Sequence, residues 1–338
     1  MANRRVVITE FGGPDVLDLV EGPSLPEPEP GEVRVKVQAT SACFTDTMVR
    51  KGIYYGVKQK PPFPPGYDVV GVVDKLGEGA TKLEVGQSVA DLTVWGGYAD
   101  YICRSESTLV PVPTGLDPVE AVSLVLSYVT AYQMLHRSAE VQRGQSILVH
   151  AAGGAVGTAL VELGGLVGLE VYGTASKSKH ELVANLGATP IDYQSEDFGA
   201  RIQTLTGQGV DAAFDAIGGD HFNRSLKALK PGGKLVAYGF YDNAMGKGGS
   251  VPLEYLRVMA KNYLPNGRST VFYSIGAMRK KHPDWFREDL TALFDLLAQG
   301  KIKPVIAERM GLEDAVRAHQ LIEQAAVQGR IVLVVNEP

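Results

Sequence analysis

Residues 150–157, His-Ala-Ala-Gly-Gly-Ala-Val-Gly, lie between an apolar strand-like run, Gln145-Ser-Ile-Leu-Val, and a helix-like segment, Thr158–Gly168. No other part of the chain constrains the fold as strongly, because such a turn demands a strand before it and a helix after it in one βαβ unit. Glycine lets backbone approach a pyrophosphate, and the helix starting there presents unpaired N–H groups and the positive end of its dipole. The first glycine of the usual G-x-G-x-x-G is Ala152 here, so the match is Ala152-x-Gly154-x-x-Gly157, with Gly153, Ala155 and Val156 completing the loop. Alone, the motif also fits a small-residue turn that packs a helix onto a sheet. The flanking strand and helix favour a dinucleotide site.

The pattern around this turn changes twice along the chain. Before it, Arg4–Thr9, Val33–Ala39, Val69–Leu76, Ser88–Leu92 and Tyr98–Cys103 are short β-rich runs interrupted by Gly and Pro, which predicts a compact β-barrel-like domain. From Pro118 to Leu264 a helix at Val119–Leu135 precedes strands at Ile147–Ala151, Val171–Ala175, Thr189–Asp192, Val210–Asp215 and Lys234–Gly239, separated by helices near Thr158, Lys179, Phe198 and Phe222. That order predicts an α/β domain with a parallel, doubly wound sheet. A helix at Asp284–Gly300, a strand near Val305, a helix at Leu312–Gln328 and a last strand at Arg330–Val335 are expected to fold back onto the first domain. The reading is residues 1–125, then a dinucleotide-binding domain at 126–267, then a return to the first domain at 268–338.

A length of 338 residues suits two domains, and 45% hydrophobic with 21% charged residues suits a globular protein. The net charge of −5, with Lys and Arg spread along the chain, argues against a nucleic-acid surface. Cys43 and Cys103 are the two cysteines, without C-x-x-C or a Cys/His cluster, so neither disulfides nor a structural zinc is expected and the compartment reads as reducing. No apolar run reaches membrane-spanning length, and Met1–Glu10 has no signal-peptide pattern, so a cytoplasmic location is expected.

A dinucleotide site needs a selecting residue at the end of the second strand of its domain, about twenty residues beyond the glycines. An acid there would bond the ribose hydroxyl of NAD. The residues present, Gly173-Thr174-Ala-Ser176-Lys177-Ser178-Lys179-His180, contain no carboxylate until Glu181, which favours a 2′-phosphate and hence NADPH. Ser176 and Lys179 could equally form an N-cap and a solvated helix start. Tyr193 could flank the same phosphate or be an ordinary surface tyrosine. Arg330 could reach the phosphate or form a rim salt bridge.

Several further segments carry a wider likeness: Phe11-Gly-Gly-Pro-Asp-Val-Leu, Pro30-Gly-Glu-Val-Arg-Val-Lys-Val, Asp46 through Arg50-Lys-Gly52-Ile-Tyr54, Pro64-Pro-Gly66 with Gly71, Gly96-Gly97-Tyr98-Ala99 and Thr130-Ala131-Tyr132. With the glycine turn and Gly173-Thr-Ala-Ser, the chain resembles, over almost its whole length, the zinc-independent quinone oxidoreductases (zeta-crystallin-like) of the medium-chain dehydrogenase/reductase superfamily. Gly173–Tyr193 looks closest to the vesicle amine transport protein-like branch. The resemblance implies a GroES-like catalytic domain split around a Rossmann domain, and a homodimer. It also implies a nicotinamide flanked by the Cys43–Asp46 segment, Thr130, the loop Gly239-Phe240-Tyr241, Phe272 and Tyr273, in a cleft where the ends of the parallel strands meet the catalytic domain.

Zinc alcohol dehydrogenases of this superfamily carry Cys-His-Thr-Asp and then Gly-His-Glu, whereas this chain has Cys43-Phe-Thr-Asp46 and Gly66-Tyr67-Asp68. A catalytic zinc needs three N, S or O ligands, so no metal is expected. Cys43 stands where the resembled family usually has Asn, which removes a polar contact. Asp46 could touch cofactor or substrate, or hold its own loop. Related enoyl-thioester reductases look alike at the Gly-x-Tyr site, where the tyrosine is held to protonate the substrate α-carbon, and Tyr54 occupies that position. A phenol with a pKa of about 10 can donate a proton but is no base at neutral pH. Tyr54 could instead be an aromatic lid, Tyr67 could contact a substrate carbonyl or simply pack, and Thr130 could bond the nicotinamide or its own helix. None of the six histidines has a triad-like or metal-like spacing, and His150 is expected to pack beneath the glycine turn. Substrate choice would rest on residues 54–63, Trp95 and residues 263–273. The expected activity is NADPH-dependent hydride transfer to a small-molecule quinone or conjugated carbonyl. The alternatives are a 2-alkenal, enone or enoyl-thioester double-bond reductase, and an NADPH-binding protein with a structural or regulatory role.

Overall fold

The computed structural model describes residues 2–247, 249–260, 262 and 267–336. Tyr263 and Leu264 therefore lie outside the described residues. The chain divides into two compact units, Met1–Val129 with Phe286–Pro338, and Thr130–Trp285.

In the first unit β1 (Asn3–Ile8) and β2 (Leu17–Gly22) pair antiparallel. A larger sheet holds β3 (Glu32–Ala42), β4 (Val69–Leu76), β5 (Ser88–Asp91), β6 (Tyr101–Ser105) and β7 (Val110–Pro111), joined by two strands from the far end of the chain, Ile306–Gly311 and Arg330–Val334. Strand Arg330–Val334 runs antiparallel to β3, with Ile331 opposite Ala42 and Val334 opposite Ala39. The tail thus folds back as its pattern predicts. Alternation along β3 explains the core: Val33, Val35 and Val37 face inward against Val69, Val73, Ile331 and Leu333, while Arg34 and Lys36 face out.

Two helices of this unit are tied by a buried cation. Arg50, at the end of helix Phe44–Arg50, is fully buried; its Nε donates to Gly12 O (3.1 Å), Nη1 to His319 Nδ1 (3.0 Å) and Nη2 to Glu323 Oε1 (2.5 Å). His319 lies on helix Ala315–Glu323 and uses Nε2 toward Tyr98 Oη at 3.2 Å. Burial, with Arg50 alongside, lowers the His319 pKa to about 3.

The second unit is built on β8 (Ser146–Val149), β9 (Glu170–Ala175), β10 (Thr189–Asp192), β11 (Val210–Asp215), β12 (Leu229–Ala237) and β13 (Ser269–Phe272). All pair in parallel, in the spatial order β10-β9-β8-β11-β12-β13. Counted within the unit this is 3-2-1-4-5-6, the doubly wound order of a dinucleotide-binding sheet. Ile147, Leu148 and Val149 are buried in succession, because helices cover both faces. The predicted helix Val119–Leu135 is helical from Pro118 to Ala139, with wider π-type turns at Leu124–Tyr128 and Met134–Ala139. The sixth strand, β13, was not among the predicted strands: only four residues long, it is defined by its ladder to β12 rather than by periodicity. The second unit extends to Trp285, and the first unit resumes at Phe286. No helix of the described residues is long and apolar enough to cross a membrane.

His319 makes the first unit sensitive to acid. Its folded pKa of about 3 lies below the ordinary 6.5, so between those values the unfolded chain binds more protons and stability falls as pH falls. Denaturant melts from pH 7 to pH 4 should show a loss of up to about 1.4 kcal/mol per pH unit from this residue, and His319→Gln should flatten the slope.

Candidate functional site

The candidate dinucleotide turn is built by close backbone approach. His150 N–H continues the ladder to Phe214 O, Ala151 takes a left-handed φ of 53°, and Gly154 caps helix Ala155–Val167. A Cβ on Gly157 would lie 2.2 Å from Ala151 O, so only glycine permits the helix to start this near the strand. Ala152 replaces the first glycine of the pattern, and the space for its methyl comes from β9, where a Cβ on Gly173 would lie 2.7 Å from Ala152 Cβ. Ala152 N–H donates to Thr174 O at 3.0 Å and locks the turn to β9.

Lys179 borders the turn directly: a Cβ on Gly153 would meet its Cδ at 2.8 Å. The lysine ends a short 3-10 turn, Lys177–Lys179, that follows β9, and partial removal from water lowers its pKa. Ser176 occupies the N-cap of that turn, but its hydroxyl contacts Ser178 Oγ at 3.2 Å instead of capping. Tyr193, one residue beyond β10, is exposed. Gly239, Phe240 and Tyr241 follow β12; a Cβ on Gly239 would sit 2.8 Å from Ala216 O, and Tyr241 N–H donates to Ala216 O. Phe240 stacks on Phe272, the last residue of β13, with centroids 5.0 Å apart. The turn, the 176–179 segment, Tyr193, the 239–241 loop and Phe272 all stand at carboxyl ends of parallel strands, where ligands of doubly wound sheets bind.

Three residues of the predicted cofactor set are otherwise engaged. Thr174 is buried and its hydroxyl bonds His150 Nδ1 at 3.0 Å, leaving its backbone to serve the turn. Tyr273 is buried and donates to Gln133 Oε1 at 2.9 Å, joining β13 to the helix that carries the buried Thr130. Arg330 corrects the expectation of a phosphate contact. It is buried in the first unit, with its guanidinium on Asp68, Ser41 and Ser127. A strand-initial arginine reads as surface in sequence, and only the pairing of its strand with β3 reveals the burial.

Folding also gathers residues whose spacing showed nothing. His150, Asp215 and His221 bring ligand atoms within 4.8 Å of one another. They are already linked: His150 Nε2 faces Ser225 Oγ (3.0 Å), which donates to Asp215 Oδ2 (2.6 Å), and that oxygen also accepts from His221 Nδ1 (2.7 Å). Burial drives the His150 pKa down to about 3, and despite its burial these bonds draw Asp215 down to about 2, so the chain is anchored by an anionic carboxylate beside a neutral imidazole. His150 thus packs under the turn as expected, with both ring nitrogens satisfied.

In the first unit, Asp46 sits in the first turn of helix Phe44–Arg50. Its Oδ2 accepts Cys43 N–H (3.0 Å) and its Oδ1 accepts Gly66 N–H (3.1 Å), so the carboxyl clamps two loops. Burial outweighs those bonds and raises its pKa to about 7. Tyr54, half-buried, and Tyr67, buried, meet hydroxyl to hydroxyl at 2.8 Å with their rings edge-on. Loss of water raises both phenol pKa values, and the Cys43 thiol is pushed well above its ordinary range by burial and by Asp46. A zinc ion would need a thiolate and a second strong donor here. Tyr67 is bonded to Tyr54 and Asp68 to Arg330, so neither side chain stands ready as the second donor beside Cys43.

Residues 29–114 match the family model described as "Alcohol dehydrogenase GroES-like domain", and residues 186–333 the one described as "Zinc-binding dehydrogenase". The chain belongs to the medium-chain dehydrogenase/reductase superfamily. Among its relatives, a synaptic vesicle membrane protein VAT-1 homolog of Danio rerio is 31% identical over 98% of this chain and 69% of the relative. The quinone oxidoreductase of Rattus norvegicus is 32% identical over 98% of this chain and 97% of its own length. Among solved structures, Escherichia coli quinone oxidoreductase complexed with NADPH superposes with a TM-score of 0.88 at 28% identity, covering 98% of this chain and 99% of that one. The CurK enoyl reductase superposes with a TM-score of 0.86 at 25% identity, covering 99% of each.

The buried ion pair separates a structural role for Arg330 from a phosphate-binding one. Arg330→Met should lower unfolding free energy by about 3–5 kcal/mol through the stranded Asp68 charge. Titrating the folded variant with dinucleotides should show no selective loss of the 2′-phosphorylated form.

Proposed function

We propose that this chain is an NADPH-dependent oxidoreductase that transfers hydride to a quinone or conjugated carbonyl compound without a metal. The observation that carries the reading is Lys179 lying against Gly153 of the dinucleotide turn, in a βαβ unit whose second strand ends without a carboxylate. The residues present fit NADPH. The N–H groups that open helix Ala155–Val167 would hold the pyrophosphate, and Lys179, with Ser176 and Tyr193, would meet the 2′-phosphate. Quinone oxidoreductase relatives, one of them complexed with NADPH, support the same cofactor and an enzymatic role.

Bound nicotinamide would supply hydride, a proton with two electrons. The chain's own part is orientation. Phe240 and Phe272 form a rigid stacked wall at the strand ends, and Asp46 fixes the loop carrying Cys43 against Gly66. Reduction of a quinone places charge on the acceptor's own oxygens, which suits a site with no Lewis acid. A cytoplasmic homodimer, implied by the family resemblance, belongs to the same proposal.

A second reading, reduction of a carbon–carbon double bond, draws support from the Tyr54 hydroxyl, which is half-buried and hydrogen-bonded in a site shared with Cys43 and Asp46, and from the likeness to an enoyl reductase. The test is anaerobic consumption of NADPH, with NADH alongside, against ortho-quinones, para-quinones, enones and enoyl thioesters. Turnover with one acceptor class supports the enzyme; binding of NADPH with silence across the panel points to a structural or regulatory role instead.

Two variants sharpen the outcome. Lys179→Ala should raise KM for NADPH about 10- to 100-fold and leave that for NADH nearly unchanged, since a charge-assisted phosphate contact is lost. Tyr54→Phe should cut enone reduction by about 100-fold or more while sparing quinone reduction if Tyr54 delivers the proton; equal effects on both would assign it to packing.

A further inference from the structure

We propose that Tyr67 is a positioning residue that donates a hydrogen bond to Tyr54, aiming the Tyr54 proton at substrate and stabilising the phenolate left behind. The inference rests on the double-bond-reductase reading above. Its basis is a buried hydroxyl with one outlet. Tyr67 is 2% exposed, and among the described residues Tyr54 Oη, at 2.8 Å, is the hydrogen-bond partner of its hydroxyl.

A hydroxyl pair shares one proton in the bond between them, and burial decides which. If Tyr54 donated, the Tyr67 proton would be left in a site closed to water without an acceptor, a costly arrangement. If Tyr67 donates, its proton is satisfied and the O–H of Tyr54, on the half-exposed ring, is free to face a substrate. The two rings pack edge-on, at 74° with centroids 6.0 Å apart. The same bond lowers the Tyr54 pKa against the larger opposing effect of its burial, and raises that of Tyr67.

The proton balance follows. Bound NADPH, oxidised to NADP+, would supply the hydride for a new C–H bond at the β-carbon of a conjugated carbonyl, whose double-bond electrons would move toward the carbonyl. The Tyr54 O–H bond breaks as a C–H bond forms at the α-carbon. Its electron pair stays on the Tyr54 oxygen, which accepts the Tyr67 hydrogen bond more strongly as an anion and is reprotonated from solvent. Quinone reduction delivers protons to oxygens that solvent can reach, so it does not need this pair.

Tyr67→Phe removes the donor and keeps the ring. The experiment compares wild type, Tyr67→Phe, Tyr54→Phe and the double variant for enone and quinone reduction across pH, with NADPH affinity and thermal midpoint as checks on folding. Tyr67→Phe should lower kcat for the enone about 10- to 100-fold with little change in KM. Because the donor favours ionised Tyr54, its loss should move the alkaline limb of the enone profile to higher pH. Quinone turnover should be unaffected, and the double variant should be no worse than Tyr54→Phe. An unchanged enone rate and alkaline limb in Tyr67→Phe, with Tyr54→Phe inactive toward enones, overturns the Tyr67 role alone. Equal loss of both activities also overturns it, in favour of packing. Full enone reduction by Tyr54→Phe, or none by wild type, overturns the proton-donor reading and this inference with it. Should Tyr67→Phe fail to fold, Tyr67→His, which retains a ring N–H donor, must restore part of the enone rate, and its failure to do so in folded protein counts against the proposal.

Discussion

The ion pair between Arg330 and Asp68 is the interaction on which the first unit's architecture rests. Both groups are buried, so each needs the other: an unpaired charge at either position would carry a desolvation penalty that the marginal stability of a domain could not absorb. The pair joins residues 262 positions apart and seats the last strand beside β3. It also anchors the loop in which Asp68 follows Tyr67, and Tyr67 in turn holds Tyr54. A structural charge pair and a candidate proton donor are therefore neighbours along the chain.

Polar groups under the second unit's turn obey the same logic. His150 would be an unsupported buried imidazole if Thr174 and Ser225 did not satisfy its two nitrogens, and Asp215 accepts from Ser225, His221 and Ile217 N–H. The carboxylate stays anionic because three donors face it, and the histidine stays neutral because burial outweighs that anion. The cluster has the residue types of a metal site and the hydrogen bonding of a scaffold. Its physical effect is to fix the ends of β8, β9 and β11 relative to one another, which a phosphate-binding loop requires if its N–H groups are to point one way.

Much of this was legible in the sequence because it is local. The glycine turn announces itself through residue size: Gly157 and Gly173 are required by contacts of 2.2 and 2.7 Å that a side chain would make. Strands Val69–Leu76, Thr189–Asp192 and Val210–Asp215 have the limits their apolar runs predict. Lys179 reads as a phosphate candidate because it follows a strand end by a fixed number of residues. The short strand β13, the burial of Arg330 and the convergence of His150 with Asp215 and His221 were not legible, since each depends on partners 35 to 262 residues away.

The sequence by itself determined the class of fold, the position of the glycine turn, the absence of a carboxylate at the end of β9 and the residue types at Cys43 and Tyr67. These follow from residue types and short-range periodicity, which covalent spacing carries. Tertiary structure alone decided the direction of side-chain bonds: that Arg330 turns inward to Asp68, that Thr174 faces His150, and that Tyr67 meets Tyr54. Burial is the physical reason. A polar group withdrawn from water must find a partner, and which partner is within 3 Å depends on how distant strands are brought together, information that no local pattern holds.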